Sequence, residues 1–215
     1  MLFKIDHLLP HPLKEQRQNN NLSQIWGTNC QFEKGKHYLV SAASGKGKST
    51  LLHILYGLRK DYSGSVSLNG ENIDVFPNER WSDLRKDHLS IVFQNLRLFP
   101  KLSALDNILI KSKLTDYRTK DQIIQMSKQL GIASLLQHKC GKLSYGQQQR
   151  VAIVRALCQP FDFLLLDEPF SHLDEANVLA AMELIRNACL EQGAGMILVS
   201  LGEDFNVSYD QKLIL

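Results

Sequence analysis

The stretch from His37 to Lys60 constrains the fold of this chain more than any other. HYLVS (His37–Ser41) is a short apolar strand, and AASGKGKST (Ala42–Thr50) is a turn rich in Gly, Ser and Lys. STLLHILYGLRK then carries Leu51, Leu52, Leu55 and Leu58 at the spacing of an amphipathic helix. Strand, glycine turn and helix in that order are the context that a phosphate-binding loop requires. Gly45 and Gly47 let the backbone curl until successive N–H groups point at one anion. The helix that starts near Lys48 adds the positive end of its dipole. Lys48 is placed to reach the β and γ phosphates of a nucleotide, and the Ser49 hydroxyl to ligate Mg2+. The candidate nucleotide-binding residues are therefore Ala42, Ala43, Ser44, Gly45, Lys46, Gly47, Lys48, Ser49 and Thr50. A bland surface turn is the competing reading, because GxxxxGK[ST] fails at its first position, here Ala42. A small residue suffices there if its φ is negative. The GKST core argues against a dinucleotide site, which needs GxGxxG and no obligatory lysine.

The rest of the chain alternates strands and helices. SVSLNG alternates in polarity and closes in Asn69-Gly70, a strand entering a tight turn. SIVF (Ser90–Phe93) is an apolar strand. Residues from about 100 to 157 show helical periodicity and almost no strand signal. FDFLLLDEP (Phe161–Pro169) is apolar on both faces, as in a buried parallel sheet. Glu175–Gln192 reads as a helix with Val178, Met182, Ile185 and Cys189 on one stripe, stopped by Gly193. GMILVS is a further buried strand, and QKLIL is a candidate edge strand. The polar run Glu15–Asn21 is a loop by composition. This pattern predicts a single α/β domain over residues 1–215 with a helical block inserted at about 95–157.

Charge and cysteine usage narrow the function. With 25 Lys+Arg against 22 Asp+Glu the net charge is only +3, interspersed along the chain, which gives no reason to expect a nucleic-acid partner. No apolar run approaches the ~18 residues of a membrane span. MLFKIDHLLPHPL is interrupted by Lys4, Asp6 and Pro10 and makes a poor signal peptide. Cys30, Cys140, Cys158 and Cys189 lie far apart and read as small buried hydrophobes in a reducing compartment. A cytoplasmic globular protein is expected.

FLLL ends in Asp167-Glu168, two carboxylates at the carboxyl end of a buried strand, the edge where ligands bind in such sheets. Asp167 suits a role in holding Mg2+ through water, and Glu168 suits polarising an attacking water. Alone, the pair is as easily a solvated strand end before Pro169. With the Lys48 loop upstream, it reads as the second half of a nucleotide site.

LSYGQQQRVAIVRAL (Leu143–Leu157) resembles the LSGGQ signature and following helix of ATP-binding cassette (ABC) ATPases. Gln94 at the end of SIVF resembles the family's Q-loop glutamine, and SHLD (Ser171–Asp174) resembles its D-loop. These motifs follow one another in family order from about Leu22 to Leu215. VFQNLRLFPKLSALDNI looks most like the small cassettes of lipoprotein-release, macrolide-export and cell-division systems. The resemblance implies an α/β P-loop NTPase core with a mostly parallel sheet, an antiparallel β subdomain and an inserted helical subdomain. It implies ATP and Mg2+ as ligands, with Glu168, Lys48 and Gln94 catalytic and Ser49, Gln94 and Asp167 around the metal. It further implies a head-to-tail dimer on ATP, in which Ser144, Gly146 and Gln147 meet the partner's nucleotide. Ser144 and Gln147 also fit a plain capping box. The family partner is an integral membrane transporter subunit, so a peripheral place at the inner face of the cell membrane follows. Leu96, Leu98, Phe99 and Leu102, apolar after Gln94, would form a groove for that subunit or be buried among the helices.

Four positions depart from the family pattern. Ala42 replaces a loop glycine, and Tyr145 replaces a signature glycine, either crowding the partner's nucleotide or pointing outward. No aromatic stands where one should stack on adenine, near Gln18–Asn20, and of the nearby rings Trp26 reads as core. Leu201 follows MILVS, where the family has a switch histidine, and leucine cannot hydrogen-bond a γ-phosphate. These residues predict a transport-coupled ATPase; the alternative is a regulatory module that dimerises on ATP and hydrolyses slowly or not at all.

Overall fold

A computed structural model describes residues 1–14, 23–205 and 207–215. The apolar runs pair into a five-stranded sheet in the order β6-β7-β8-β3-β9: β3 (His37–Ser41), β6 (Leu89–Val92), β7 (Phe163–Asp167), β8 (Gly195–Ser200) and β9 (Gln211–Ile214). Every neighbouring pair in it is parallel. Side chains alternate across the pleat, so each strand feeds two cores. Leu39, Val92, Leu164, Leu166, Met196 and Leu198 enter one; Val40, Ile91, Phe163, Leu165, Ile197 and Val199 enter the other. This double burial explains why FLLL and GMILVS are apolar at every position. QKLIL is the edge strand expected.

The first core is closed by helices. α3 (Ala104–Thr115), α4 (Lys120–Gln129) and α5 (Tyr145–Leu157) lie between β6 and β7 in sequence, and α6 (Glu175–Gln192) follows β7. Each of α3, α4 and α5 opens on a capping box: Ser103 with Asp106, Thr119 with Gln122, Ser144 with Gln147. The Ser144–Gln147 box expected from sequence is therefore present. Gly193 ends α6 in the left-handed region at φ 57°. Cys140, Cys158 and Cys189 are buried free thiols, and burial pushes the last two up to about 12. Cys30, expected to be buried, is only half-buried, on an edge strand.

The second core lies against α1 (Lys48–Leu55) and a four-stranded antiparallel sheet in the order β2-β1-β4-β5. That sheet contains β1 (Leu2–Pro10), β2 (Asn29–Glu33), β4 (Tyr62–Leu68) and β5 (Glu71–Asn72). Asn69 and Gly70 form the tight turn expected after SVSL, at φ 52° and 88°. The short helix α2 (Asn78–Asp83) buries Trp81 beneath the end of α1. There the structure corrects the sequence reading: α1 stops at Leu55, and Leu58 is exposed instead of joining the helix stripe. Gly57 stands at φ 72°, and a Cβ on it would lie 2.4 Å from the Trp81 ring. The run Glu15–Asn21 lies outside the described residues.

Candidate nucleotide site at the carboxyl edge of the sheet

The strand order β7-β8-β3 places the ends of β3 and β7 two strands apart, on either side of β8. All three end at one edge, so the loop after β3 faces the carboxylates that end β7. Gly47, at φ 93°, precedes α1 and leaves its first N–H groups uncapped by any side chain. Glycine is required there twice over. The conformation is left-handed, and a Cβ would lie 2.6 Å from Leu13 and 3.1 Å from Trp26. Trp26 is buried, as expected, and its indole N–H donates to the Lys46 carbonyl at 3.0 Å, holding the loop from beneath.

Lys48 is buried within the loop. Its ammonium donates to the carbonyls of Ala42 (2.8 Å) and Ala43 (3.1 Å) and pairs with Glu168 Oε1 at 3.2 Å. Ala42 has no positive φ, and its N–H donates to the Ser200 carbonyl, so its departure from glycine is accommodated. Glu168 does stand at positive φ, 46°, with its N–H bonded to the Val199 carbonyl. Gln94 Nε2 donates to Glu168 Oε2 at 3.3 Å, and Gln94 Oε1 lies 3.5 Å from the Ser49 hydroxyl. Lys48, Ser49, Gln94 and Glu168 thus form one chain of contacts.

Asp167 is 1% exposed, and its Oδ1 has no hydrogen-bond partner. Burial pushes its pKa up, and the neighbouring Glu168 carboxylate adds to this; the Ser49 hydroxyl, Lys48 and the Gln94 backbone pull it back. A buried, orphaned carboxylate oxygen beside a hydroxyl and an amide oxygen is the donor set of a hard divalent cation. Mg2+ therefore fits Ser49, Gln94 and Asp167.

The cavity over these groups holds about 330 Å3. Ser44, Gly45, Gly47, Lys48, Ser49 and Thr50 line it, with Gln94 and Glu168. Ala42, Ala43 and Lys46 do not; their carbonyls hold Lys48 and Trp26. Sequence reasoning missed the remaining wall, made by Pro10, Pro12 and Leu13 at the end of β1 and the turn after it. The only trace of it in the sequence is the apolar PHPL, set apart from the polar run that follows. Tyr38 is buried, leaving neither it nor Trp26 available for stacking, and Gln18–Asn20 lie outside the described residues.

Ser144, Gly146 and Gln147 do not line the cavity. Ser144 and Gln147 bond each other at the start of α5, and Gly146 packs so closely that a Cβ would lie 2.7 Å from the His172 carbonyl oxygen. Tyr145 does not simply point outward: its hydroxyl donates to the Gln94 carbonyl at 2.9 Å. Leu201 is 60% exposed beside Glu168, in a second cavity of about 430 Å3. Ser200 is buried and engaged with Gly202 and Glu203, and the His172 ring packs on Tyr145. Neither supplies the missing histidine. The apolar group after Gln94 is divided: Leu96 is buried and Leu98 packs on the core, while Phe99 (54%) and Leu102 (39%) face solvent.

The parallel sheet, the uncapped loop and the paired carboxylates define a nucleotide-binding α/β protein of the P-loop type. The family model described as "ABC transporter" matches residues 26–171, and the chain belongs to this family of ATP-binding cassettes. It is 33% identical over 192 residues to the lipoprotein-releasing system ATP-binding protein LolD of Legionella pneumophila (strain Lens), covering 88% of this chain and 85% of that protein. It is 30% identical over 203 residues to the macrolide export ATP-binding/permease protein MacB of Shewanella sp. (strain W3-18-1), covering 93% of this chain and 31% of that longer protein. Both agree with the small-cassette type expected from the residues around Gln94. The dimeric structure of MJ0796, a bacterial ABC transporter cassette, shares the fold with a TM-score of 0.82 at 24% identity, over 100% of this chain and 94% of that one. A post-hydrolysis dimer of MJ0796 bound to ADP and Pi matches with a TM-score of 0.77 at 26% identity, over 93% of this chain and 88% of that one.

Proposed function

We propose that this chain binds and hydrolyses ATP as the motor subunit of a membrane transporter, closing on ATP as a head-to-tail dimer. One observation carries the reading: Lys48, Ser49, Gln94, Asp167 and Glu168 meet at one sheet edge, with an orphaned Asp167 oxygen among them. The triphosphate lies along the N–H groups of residues 44–50, and the base lies toward Pro12 and Leu13. Phosphate oxygens then compete with Glu168 for the Lys48 ammonium, which releases that carboxylate to accept the proton of an attacking water. Gln94, already bonded to Glu168, orients it. Mg2+, held by Ser49, Gln94 and Asp167, neutralises charge on the phosphates when bound. Leu201 offers no donor to the γ-phosphate, and losing one such donor costs about 10²–10³-fold in rate. The motor is therefore slow.

A regulator that never hydrolyses ATP finds no support, since Glu168 and the groups around it are in place and the relatives include transporter subunits. Among the described residues no helix is long and apolar enough to cross a membrane. The names of the relatives, an ATP-binding protein of a lipoprotein-releasing system and an export ATP-binding/permease protein, support a membrane-spanning load for this motor. The test is phosphate release from Mg-ATP by wild type and by Lys48→Ala. Release by wild type and loss of ATP binding in Lys48→Ala is the expected result. Equal ATP binding by both would overturn the assignment.

A further inference from the structure

The Gln94 loop is bent and held from one side. Leu96 and Arg97, neither a glycine, stand at φ 54° and 47°, conformations that persist only where surrounding contacts enforce them. Backbone bonds from the Leu96 N–H to the Phe93 carbonyl and from the Arg97 N–H to the Asn95 carbonyl close the bend, and the side-chain hydrogen bonds to its carbonyls come from α5. Arg155, near its end, donates to the carbonyls of Leu96 and Arg97. Tyr145, its first residue, donates from its hydroxyl to the carbonyl of Gln94 itself at 2.9 Å. The Tyr145 ring is fixed in turn by an edge-on contact with His172, centroid to centroid 4.5 Å. The family signature has glycine at this position and could form neither contact.

We infer that Tyr145 is a positioning residue for the Gln94 of its own chain, and that it links the two nucleotide sites of the dimer. The inference rests on the proposed function. The Gln94 side chain stands between Ser49 and Glu168, so fixing its backbone carbonyl fixes the amide that faces the metal and the attacking water. The same α5 terminus meets the partner's nucleotide in the head-to-tail dimer. Movement of that terminus by one nucleotide is thereby passed through a single hydrogen bond to the residue that reads the other.

Tyr145→Phe keeps the ring against His172 and removes only the hydroxyl. Phosphate release, or ATP-driven dimerisation, is titrated with Mg2+ at fixed ATP for wild type and variant, alongside ATP binding without Mg2+. One hydrogen bond of ordinary strength predicts a rise of about two- to twelvefold in half-saturating Mg2+. Metal-free ATP binding should stay at the wild-type value and cooperativity in ATP should fall, while the melting temperature drops by no more than about 2–4 °C, the worth of one such bond. A matching loss of metal-free ATP binding would mark a purely structural role and overturn the inference. Superimposable Mg2+ curves would overturn it too. A wild-type chain that binds no ATP would remove the proposed function, and the inference with it.

Discussion

Asp167 illustrates how a single residue can be costly to the empty fold. Burial raises its pKa, so the folded state favours the protonated carboxyl. That preference stabilises the fold fully below the ordinary carboxylate range and is lost as pH rises through the raised folded value. Above it, an ionised carboxylate with an orphaned oxygen opposes folding until a cation arrives. Asp167→Asn should therefore melt higher than wild type at pH 7.5, by about 2–4 °C for ~1 kcal/mol in a chain of this size. The gain should disappear as the pH is lowered below the carboxylate range, and stabilisation by Mg-ATP should be lost. A lower melting point at pH 7.5 would mean that burial does not dominate. Leu201 makes the opposite case, an exposed apolar residue where chemistry calls for a donor. Leu201→His should raise ATP turnover by about 10-fold or more, toward the 10²–10³ that one donor supplies. Unchanged steady-state turnover would show that the imidazole cannot reach the γ-phosphate.

At the scale of elements, legibility follows local chemistry. β3, the phosphate loop and α1 could be read because glycine, lysine and helical leucines occupy adjacent windows. β7 and β8 could be read because both of their faces are buried. β1 could not. A bulge between Asp6 and Leu9, with His7 at φ 48°, breaks its alternation, and Gly64 opposite lies too close to the His7 carbonyl for any Cβ. β2 buries only Phe32 and lies at the edge of its sheet, so NCQFE shows no apolar period. Of the residues singled out from sequence, Lys48, Ser49, Gln94, Asp167 and Glu168 come together, whereas Ala42, Ala43, Lys46, Ser144, Gly146 and Gln147 do not line the cavity. Sequence missed two contacts made across the fold, the Pro12–Leu13 wall and the Tyr145 bond to Gln94. Gly47 joins loop and wall. Gly47→Ala should abolish nucleotide binding and destabilise the protein by about 1–3 kcal/mol, through positive φ and a clash with Leu13 and Trp26. Thermal melting and a nucleotide titration check both effects, and wild-type values in each would contradict the geometry.

At the scale of the whole molecule, we propose two working surfaces for this chain. One carries the nucleotide site; the other, beyond Gln94, exposes Phe99 and Leu102 while Leu96 is buried. The membrane subunit is expected to contact the exposed pair. Phe99→Ser with Leu102→Ser should leave ATP binding intact and abolish co-purification with that subunit; continued co-purification would place the contact elsewhere. The central claim, that one cassette's phosphate loop and another's α5 enclose ATP until Glu168 permits hydrolysis, is tested most directly by Glu168→Gln. The substitution keeps the side-chain shape and removes the carboxylate, whose general-base contribution is about 10²–10⁴-fold. Size-exclusion chromatography with Mg-ATP and with Mg-ADP should show a stable dimer in ATP and a monomer in ADP. A monomer in both nucleotides would contradict the account.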